Sequence, residues 1–252
     1  MANPQRRYCA AYQAIFGPPT PAENRKPSGS TNKRETVIHT QPFGDPLCLP
    51  GTDLGPAQIL AGAQRLVGTP GQIYVEHRGV PVSVADAAGV RFDPDFAGRP
   101  AVIAPLRDLD DRLTSVHGRY LNTVRGQNKM LTIGPGDGVI GVLSGGRTEP
   151  IILVEGLFDT LSLACCGWPA LAPIGRWATW LPDLCRGREI WLAFDASQGA
   201  EADVVRYQAR LSGARLRGVR PPERCKDWNT ALRKRGVGAL QYWLNHHLTA
   251  VG

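Results

Sequence analysis

Apolar positions along this 252-residue chain change rhythm from one stretch to the next. Pro56-Ala57-Gln58-Ile59-Leu60 opens a helical pattern, and Gly71 to Arg78 predicts a second helix with Gly79 as its C-cap. From Pro100 the pattern becomes that of strands. Ala101 to Arg107 reads as one strand, Leu109 to Arg112 as an Asp-rich turn, and Leu113 to Leu121 as the partner strand of a hairpin. After Pro150 short, continuous apolar runs alternate with helical stretches. They predict strand 151–155, helix 157–166, strand 170–174, helix 176–183, strand 188–195, helix 199–212, strand 214–219 and helix 227–235. Alternation of this kind implies βαβ units and a mostly parallel sheet of about four strands. Leu240 to Leu248 has the spacing of a final helix that packs back.

Two of the apolar runs carry the chemistry. Ile151-Ile152-Leu153-Val154 ends on Glu155, and Ile190-Trp191-Leu192-Ala193-Phe194 ends on Asp195. A buried parallel strand releases its last residue at the carboxyl edge of the sheet, where open α/β sheets place their ligands. Glu155 and Asp195 are thereby offered together, as two hard-oxygen ligands for a divalent cation would be. The competing reading is that each acid caps the helix that follows. Asp159 lies one helical turn beyond Glu155, so both can face one site.

Charge narrows the partner. The net charge is +7, and the excess is concentrated. Ten basic residues (Arg206, Arg210, Arg215, Arg217, Arg220, Arg224, Lys226, Arg233, Lys234, Arg235) face two acids, Glu223 and Asp227, over residues 206–235. That imbalance predicts a phosphate-binding surface. The six cysteines (Cys9, Cys48, Cys165, Cys166, Cys185, Cys225) show no C-x-x-C spacing, so no zinc is expected. Cys165 and Cys166 read as packing residues, and His246-His247 as a surface pair. The start is polar and no run approaches the roughly 20 apolar residues of a membrane span, so a cytoplasmic protein without membrane contact is expected. The glycine-rich stretch Ile133 to Gly141 has neither a Walker A ending nor G-x-G-x-x-G before a helix, and reads as loop or short strands.

The order of these elements resembles the Toprim domain of primases, topoisomerases and some nucleases. Val154-Glu155-Gly156-Leu157-Phe158-Asp159 matches its glutamate motif. Ala193-Phe194-Asp195-Ala196-Ser197 matches its Asp-x-Asp motif, with Ser197 in place of the second aspartate. Cys225-Lys226-Asp227-Trp228-Asn229-Thr230-Ala231-Leu232 resembles the Lys-Asp-Trp-Asn signature of primase-like proteins of plasmids, phages and integrated elements. Tyr74-Val75-Glu76-His77-Arg78-Gly79-Val80 resembles their Tyr-Leu-x-x-Arg-Gly element. Ala104 to Asp108, His117 to Leu121 and Lys129-Met130 resemble the basic N-terminal half of a bacterial primase core. The resemblance spans roughly residues 57–235.

What the resemblance implies is a Toprim-type, Rossmann-like α/β fold: a mostly parallel sheet flanked by helices, preceded by a smaller α+β subdomain. With the turn-rich start and the helical spacing at the end, the expected boundaries are a flexible or partner-binding segment at 1–55, the primase-core subdomain at 56–149, the Toprim domain at 150–236 and a C-terminal helix at 237–252. The implied function is a primase-type nucleotidyltransferase that makes short primers on single-stranded DNA for a mobile element. Its cofactor would be Mg²⁺ or Mn²⁺, and its substrates nucleoside triphosphates. Glu155 and Asp195 would be metal ligands, with Asp159 and Asp227 supporting them. Arg119, Lys129, Lys226 and Arg107 would contact nucleotide or template, with Arg78 bracing a helix end. Tyr120 and Trp228 are candidates for base stacking. Asp227 also reads as a helix N-cap. Glu201 or Asp203 could replace the carboxylate lost at Ser197, or face solvent. Cys9, His39 and Cys48 do not make a zinc set, so template recognition would fall to a partner protein, and a replicative helicase is a further expected partner. The alternatives are a metal-dependent Toprim nuclease and a DNA-binding accessory protein with a decayed site.

Overall fold

The computed structural model describes residues 54–122, 125–141, 150–168, 170–174, 177–196 and 200–248. The N-terminal segment with Cys9, His39 and Cys48 lies outside the described residues, and so does Ser197. Three short helices come first: α1 (Pro56–Gly62), α2 (Pro70–His77) and α3 (Val82–Ala87). Proline at the first turn opens α1 and α2, where its missing N–H costs nothing. A four-stranded antiparallel sheet follows, in the order β1 (Arg91–Phe96), β2 (Arg99–Arg107), β3 (Leu113–Tyr120) and β4 (Met130–Ile133).

The second half alternates as the sequence predicts. It comprises β5 (Ile151–Leu153), α4 (Leu157–Cys165), β6 (Ala170–Leu171), α5 (Leu181–Cys185), β7 (Glu189–Leu192), α6 (Ala200–Arg210), β8 (Arg215–Gly218) and α7 (Trp228–Leu248). Its strands form a parallel sheet in the order β6-β5-β7-β8. Gly236 breaks α7 with φ 75° and ψ 168°, so the predicted helix at 227–235 and the final helix are two arms around a glycine elbow. The helix expected at 176–183 instead begins at Leu181. Pro182 sits in its first turn, the position proline favours, and so sets the start.

Strand periodicity divides the core. Ala101 and Ile103 of β2 pack with Ile59, Phe96, Val116 and Tyr120 on one face of the antiparallel sheet. Val102, Ala104 and Leu106 point the other way, into the cluster of Leu157, Phe158 and Leu161 from α4. The parallel sheet divides likewise. Ile152, Val154 and Ala193 join that same cluster, whereas Leu153, Ile190, Leu192 and Phe194 pack with Leu181, Tyr207 and Leu211. α4 is buried on most sides because it packs against α7 and within the apolar cluster to which both sheets contribute. Truncating Leu161, which has no exposed surface, to Ala should cost about 2–5 kcal/mol.

The glycine-rich stretch joins the sheets directly. Val139 exchanges backbone hydrogen bonds with Arg107 (2.8 and 2.9 Å), and Ile140 does so with Ala172 (both 3.1 Å). Gly138 is required at this join, since a Cβ there would run into the Thr114 hydroxyl.

Candidate active site

β5 and β7 are neighbours in the parallel sheet, so the acids that follow them emerge side by side. Glu155 is 6% exposed. Its Oε1 accepts a hydrogen bond from the Asp195 backbone N–H at 3.1 Å. Asp159, on the first turn of α4, accepts one from the Asn229 N–H at 3.1 Å. Asp227 caps α7 by accepting from the Thr230 N–H at 2.6 Å, and its other oxygen lies 3.2 Å from Lys226 Nζ. The capping role read for Asp227 is thus present alongside its place in the site.

All four carboxylates line one cavity of about 210 Å³, together with Arg78, His117, Arg119, Met130, Phe158, Ile174 and Lys226. The acids come from the parallel-sheet side. His117, Arg119 and Met130 come from β3 and β4, and Arg78 from the end of α2. Burial, reinforced by Asp227 and then Glu155, pushes the Asp159 carboxyl up to about 7, against the lowering effects of the Asn229 N–H and Arg78. Burial also draws the Arg78 pKa below its ordinary value, helped by Arg119 and opposed by Tyr74, Asp159 and Asp227. An arginine so placed stays charged.

Aromatic packing fixes the basic wall. The Arg78 guanidinium sits 4.4 Å from the centre of the Phe158 ring. Phe158 meets Tyr74 edge-on at 5.7 Å, and Arg119 Nε donates to the Tyr74 hydroxyl at 3.4 Å. Arg78, at the end of α2, thus also lines the cavity.

Other sequence candidates lie elsewhere. Arg107 is beside Asp111 (3.6 Å) and Lys129 is exposed, and neither lines the cavity. Of the basic run 206–235, Lys226 lines it. Arg206 pairs with Asp203 at 3.2 Å, Arg210 lies over Trp177, and Arg217 lies over Trp191. Asp203 is buried at 1% exposure and does not face solvent. Tyr120 and Trp228 are 3% and 1% exposed, so neither can stack a base. Phe96 and Arg99 cover the first, and the second donates its indole N–H to Ala193 O at 2.8 Å. His246 and His247 are exposed, each bonded through Nδ1 to a backbone carbonyl of its own helix. Sequence reasoning gave His117 no role. Its signal is the same-face relation to Arg119 on a strand.

Among the described residues no group of three or more His, Cys, Asp or Glu side chains forms a ready metal cluster. The donor set nonetheless fits a hard cation of the Mg²⁺ type, which is held by one or two carboxylates and completed by water and substrate phosphates. Glu155 and Asp195 supply that pair on one edge, and the accumulated negative charge felt at Asp159 is what a cation would relieve. Among the described residues no helix is long and apolar enough to cross a membrane.

Residues 56–146 match a family model described as a domain of unknown function, DUF7146. No curated protein matches the chain. Solved structures of similar fold are DnaG-type primase catalytic cores. The zinc-binding and RNA polymerase domains of the Aquifex aeolicus primase align with a TM-score of 0.60 at 18% identity, over 75% of this chain and 59% of that one. The chain thus spans less than two thirds of that structure. The E. coli primase catalytic core gives 0.58 at 20% identity, over 73% of this chain and 76% of that one. A DnaG primase catalytic domain bound to single-stranded DNA gives 0.59 at 19% identity, over 75% and 80%. At such identities the likeness is one of fold: a mixed α/β architecture with one antiparallel and one parallel sheet.

Proposed function

We infer that the chain is a primase-like nucleotidyltransferase that builds short primers on single-stranded DNA from nucleoside triphosphates, with a Toprim site at Glu155 and Asp195. One observation carries this reading. Four carboxylates, with Lys226 beside Asp227, share a single cavity with Arg78 and Arg119, on a fold shared with primase catalytic cores. That pairing suits a triphosphate, whose charge needs a cation on one side and fixed basic groups on the other.

In this reading Glu155 and Asp195 hold Mg²⁺ or Mn²⁺, and Asp159 and Asp227 complete the acidic edge. A bound divalent cation supplies charge neutralisation at the transferring phosphate. Arg78, Arg119 and Lys226 neutralise the remaining phosphate oxygens, and Arg78 and Arg119 do so from prearranged positions, which lowers the reorganisation needed in the transition state. Phe158, Leu157 and Ile174 form the apolar part of the lining and limit water. Arg107 and Lys129, outside the cavity, would follow the template backbone. Residues 56–149 and 150–236 act as the basic and metal-binding halves, with 237–252 as a brace and 1–55 as a docking segment for a partner. We place the protein in the cytoplasm, serving replication of a mobile element, with a helicase and a template-recognition protein as partners.

The test is primer synthesis on single-stranded DNA with labelled nucleotides and Mg²⁺ or Mn²⁺, comparing wild type with Glu155→Ala. Product that disappears in the variant supports the reading. Strand cleavage without nucleotides would replace it with a nuclease, and salt-sensitive DNA binding without chemistry with an accessory protein.

A further inference from the structure

Asn229 joins three segments that lie far apart along the chain. It sits on the first turn of α7 and is 3% exposed. Its Nδ2 donates to Arg78 O at 2.8 Å and to Ser162 Oγ at 3.0 Å. Its backbone N–H donates to Asp159 Oδ1 at 3.1 Å. A carboxamide nitrogen carries two hydrogens, so both are spent. The Arg78 carbonyl can only accept, so the nitrogen of the amide must face it and the side chain has one orientation.

Two of these partners line the cavity. Arg78 is the C-cap residue of α2, and a helix end leaves carbonyls there without an intrahelical donor. The Asn229 amide supplies one. Gly79 follows with φ 77°, and a Cβ on it would come within 3.3 Å of Arg233 Cγ and 3.7 Å of Leu232. The chain therefore leaves α2 pressed against α7. The far end of Arg78 rests on α4, its guanidinium 4.4 Å from the centre of the Phe158 ring. Asp159 and Ser162 are three residues apart on α4, so they share the face that meets Asn229. Among the described residues, the buried Arg78 Nε has no hydrogen-bond partner. The direction of this guanidinium is set by its anchored backbone and by the ring beneath it.

We propose that Asn229 is a positioning residue that acts through Arg78. Its carboxamide fixes the backbone of Arg78, its N–H fixes Asp159, and one residue thereby sets where a cation and an acid of the cavity stand relative to each other. The proposal rests on the nucleotidyl-transfer reading for what that spacing serves. The bracing itself stands on the hydrogen bonds alone.

Two readouts test it, both on the full chain at a temperature where thermal melting shows every variant folded. The first is ¹⁵N relaxation of the Arg78 Nε–H, assigned by its absence in Arg78→Lys. Asn229→Ala should bring a loss of order at that group. Ser162→Ala, which leaves the bond to Arg78 O in place, should not. The second is a double-mutant cycle on the affinity for a nucleoside triphosphate with Mg²⁺. Asn229→Ala should weaken binding about ten- to hundredfold in the wild-type background, the range for a buried group left unpaired. With Arg78→Met already present, the further loss should be less than about threefold, because the two residues act as one unit. Unchanged order at Arg78 in Asn229→Ala overturns the proposal. Equal losses in the two backgrounds also overturn it, since Asn229 would then only stabilise the fold. A wild type that binds no triphosphate overturns the nucleotidyl-transfer reading, and the relaxation result alone then decides the role of Asn229.

Discussion

The carboxylate of Glu155 accepts a hydrogen bond from the backbone N–H of Asp195 at 3.1 Å, so the two acids that end neighbouring strands are fixed to one another. Charge and geometry are therefore separable at Glu155. Glu155→Gln keeps an acceptor for that N–H and loses the charge, whereas Glu155→Ala loses both. Primer synthesis should vanish in both variants. Denaturant unfolding should place the Gln variant near wild type and the Ala variant about 1–3 kcal/mol lower, the cost of a buried donor left unmade.

Asp159 links the acidic edge to pH. Its carboxyl is pushed up to about 7, chiefly by burial, so between pH of about 4 and 7 the folded chain holds a proton that the unfolded chain has released. Stability of the metal-free protein should fall as pH rises through that window. In Asp159→Asn the fall should flatten, with a gain on the order of 1–3 kcal/mol at pH 8. Chemical denaturation in chelator at pH 5 and pH 8 measures this, and equal slopes for both proteins would refute it. Added Mg²⁺ should reduce the wild-type penalty.

Trp228 ties α7 to the strand that carries Asp195. Its indole N–H reaches Ala193 O at 2.8 Å, two residues before the acid. Trp228→Phe should cost about 1–2 kcal/mol through that bond. It should also weaken Mn²⁺ binding measured by paramagnetic relaxation, because the carboxyl end of β7 loses a support.

Ser197 removes a charge from the motif, so Ser197→Asp should tighten Mn²⁺ binding by about tenfold, in line with the dependence of affinity on ligand charge. Isothermal calorimetry decides, and unchanged affinity would mean that the position does not reach the metal.

Thiol chemistry offers a check on the packing. Burial raises the Cys165, Cys166 and Cys185 thiols to about 12. At pH 8 they should resist iodoacetamide in the folded protein and react fully once urea unfolds it, as peptide mass spectrometry would show.

The parallel half was legible because β5, β6 and most of β7 are buried and read as apolar runs, while the edge strand β8, Arg-Leu-Arg-Gly, followed from the alternation of strands and helices. The antiparallel half was legible only at β2 and β3. Arg91-Phe92-Asp93-Pro94-Asp95-Phe96 conceals β1 behind charges and a proline, which an edge strand tolerates. Val82 and Val84 give α3 the alternation of a strand, and β4 is only four residues long. Of the site, the acids at strand ends were visible because their position follows from chain order. The exclusion of Arg107 and the burial of Tyr120 were not visible, since each depends on what packs across the sheet. His117 belongs to the same class: the cavity it lines is built by distant segments.

The dipeptide Val139-Ile140, bonded to Arg107 on one side and Ala172 on the other, acts as a spacer gauge for the cleft. The gap between acids and basic wall is then set by backbone length at this join as well as by the residues that line it. Inserting one residue there would shift the register by about 3.3 Å and turn alternate side chains over. That displacement exceeds the tolerance of a phosphate held between a metal and an arginine. A chain with every named side chain intact would then bind nucleotide weakly, its jaws set to the wrong width.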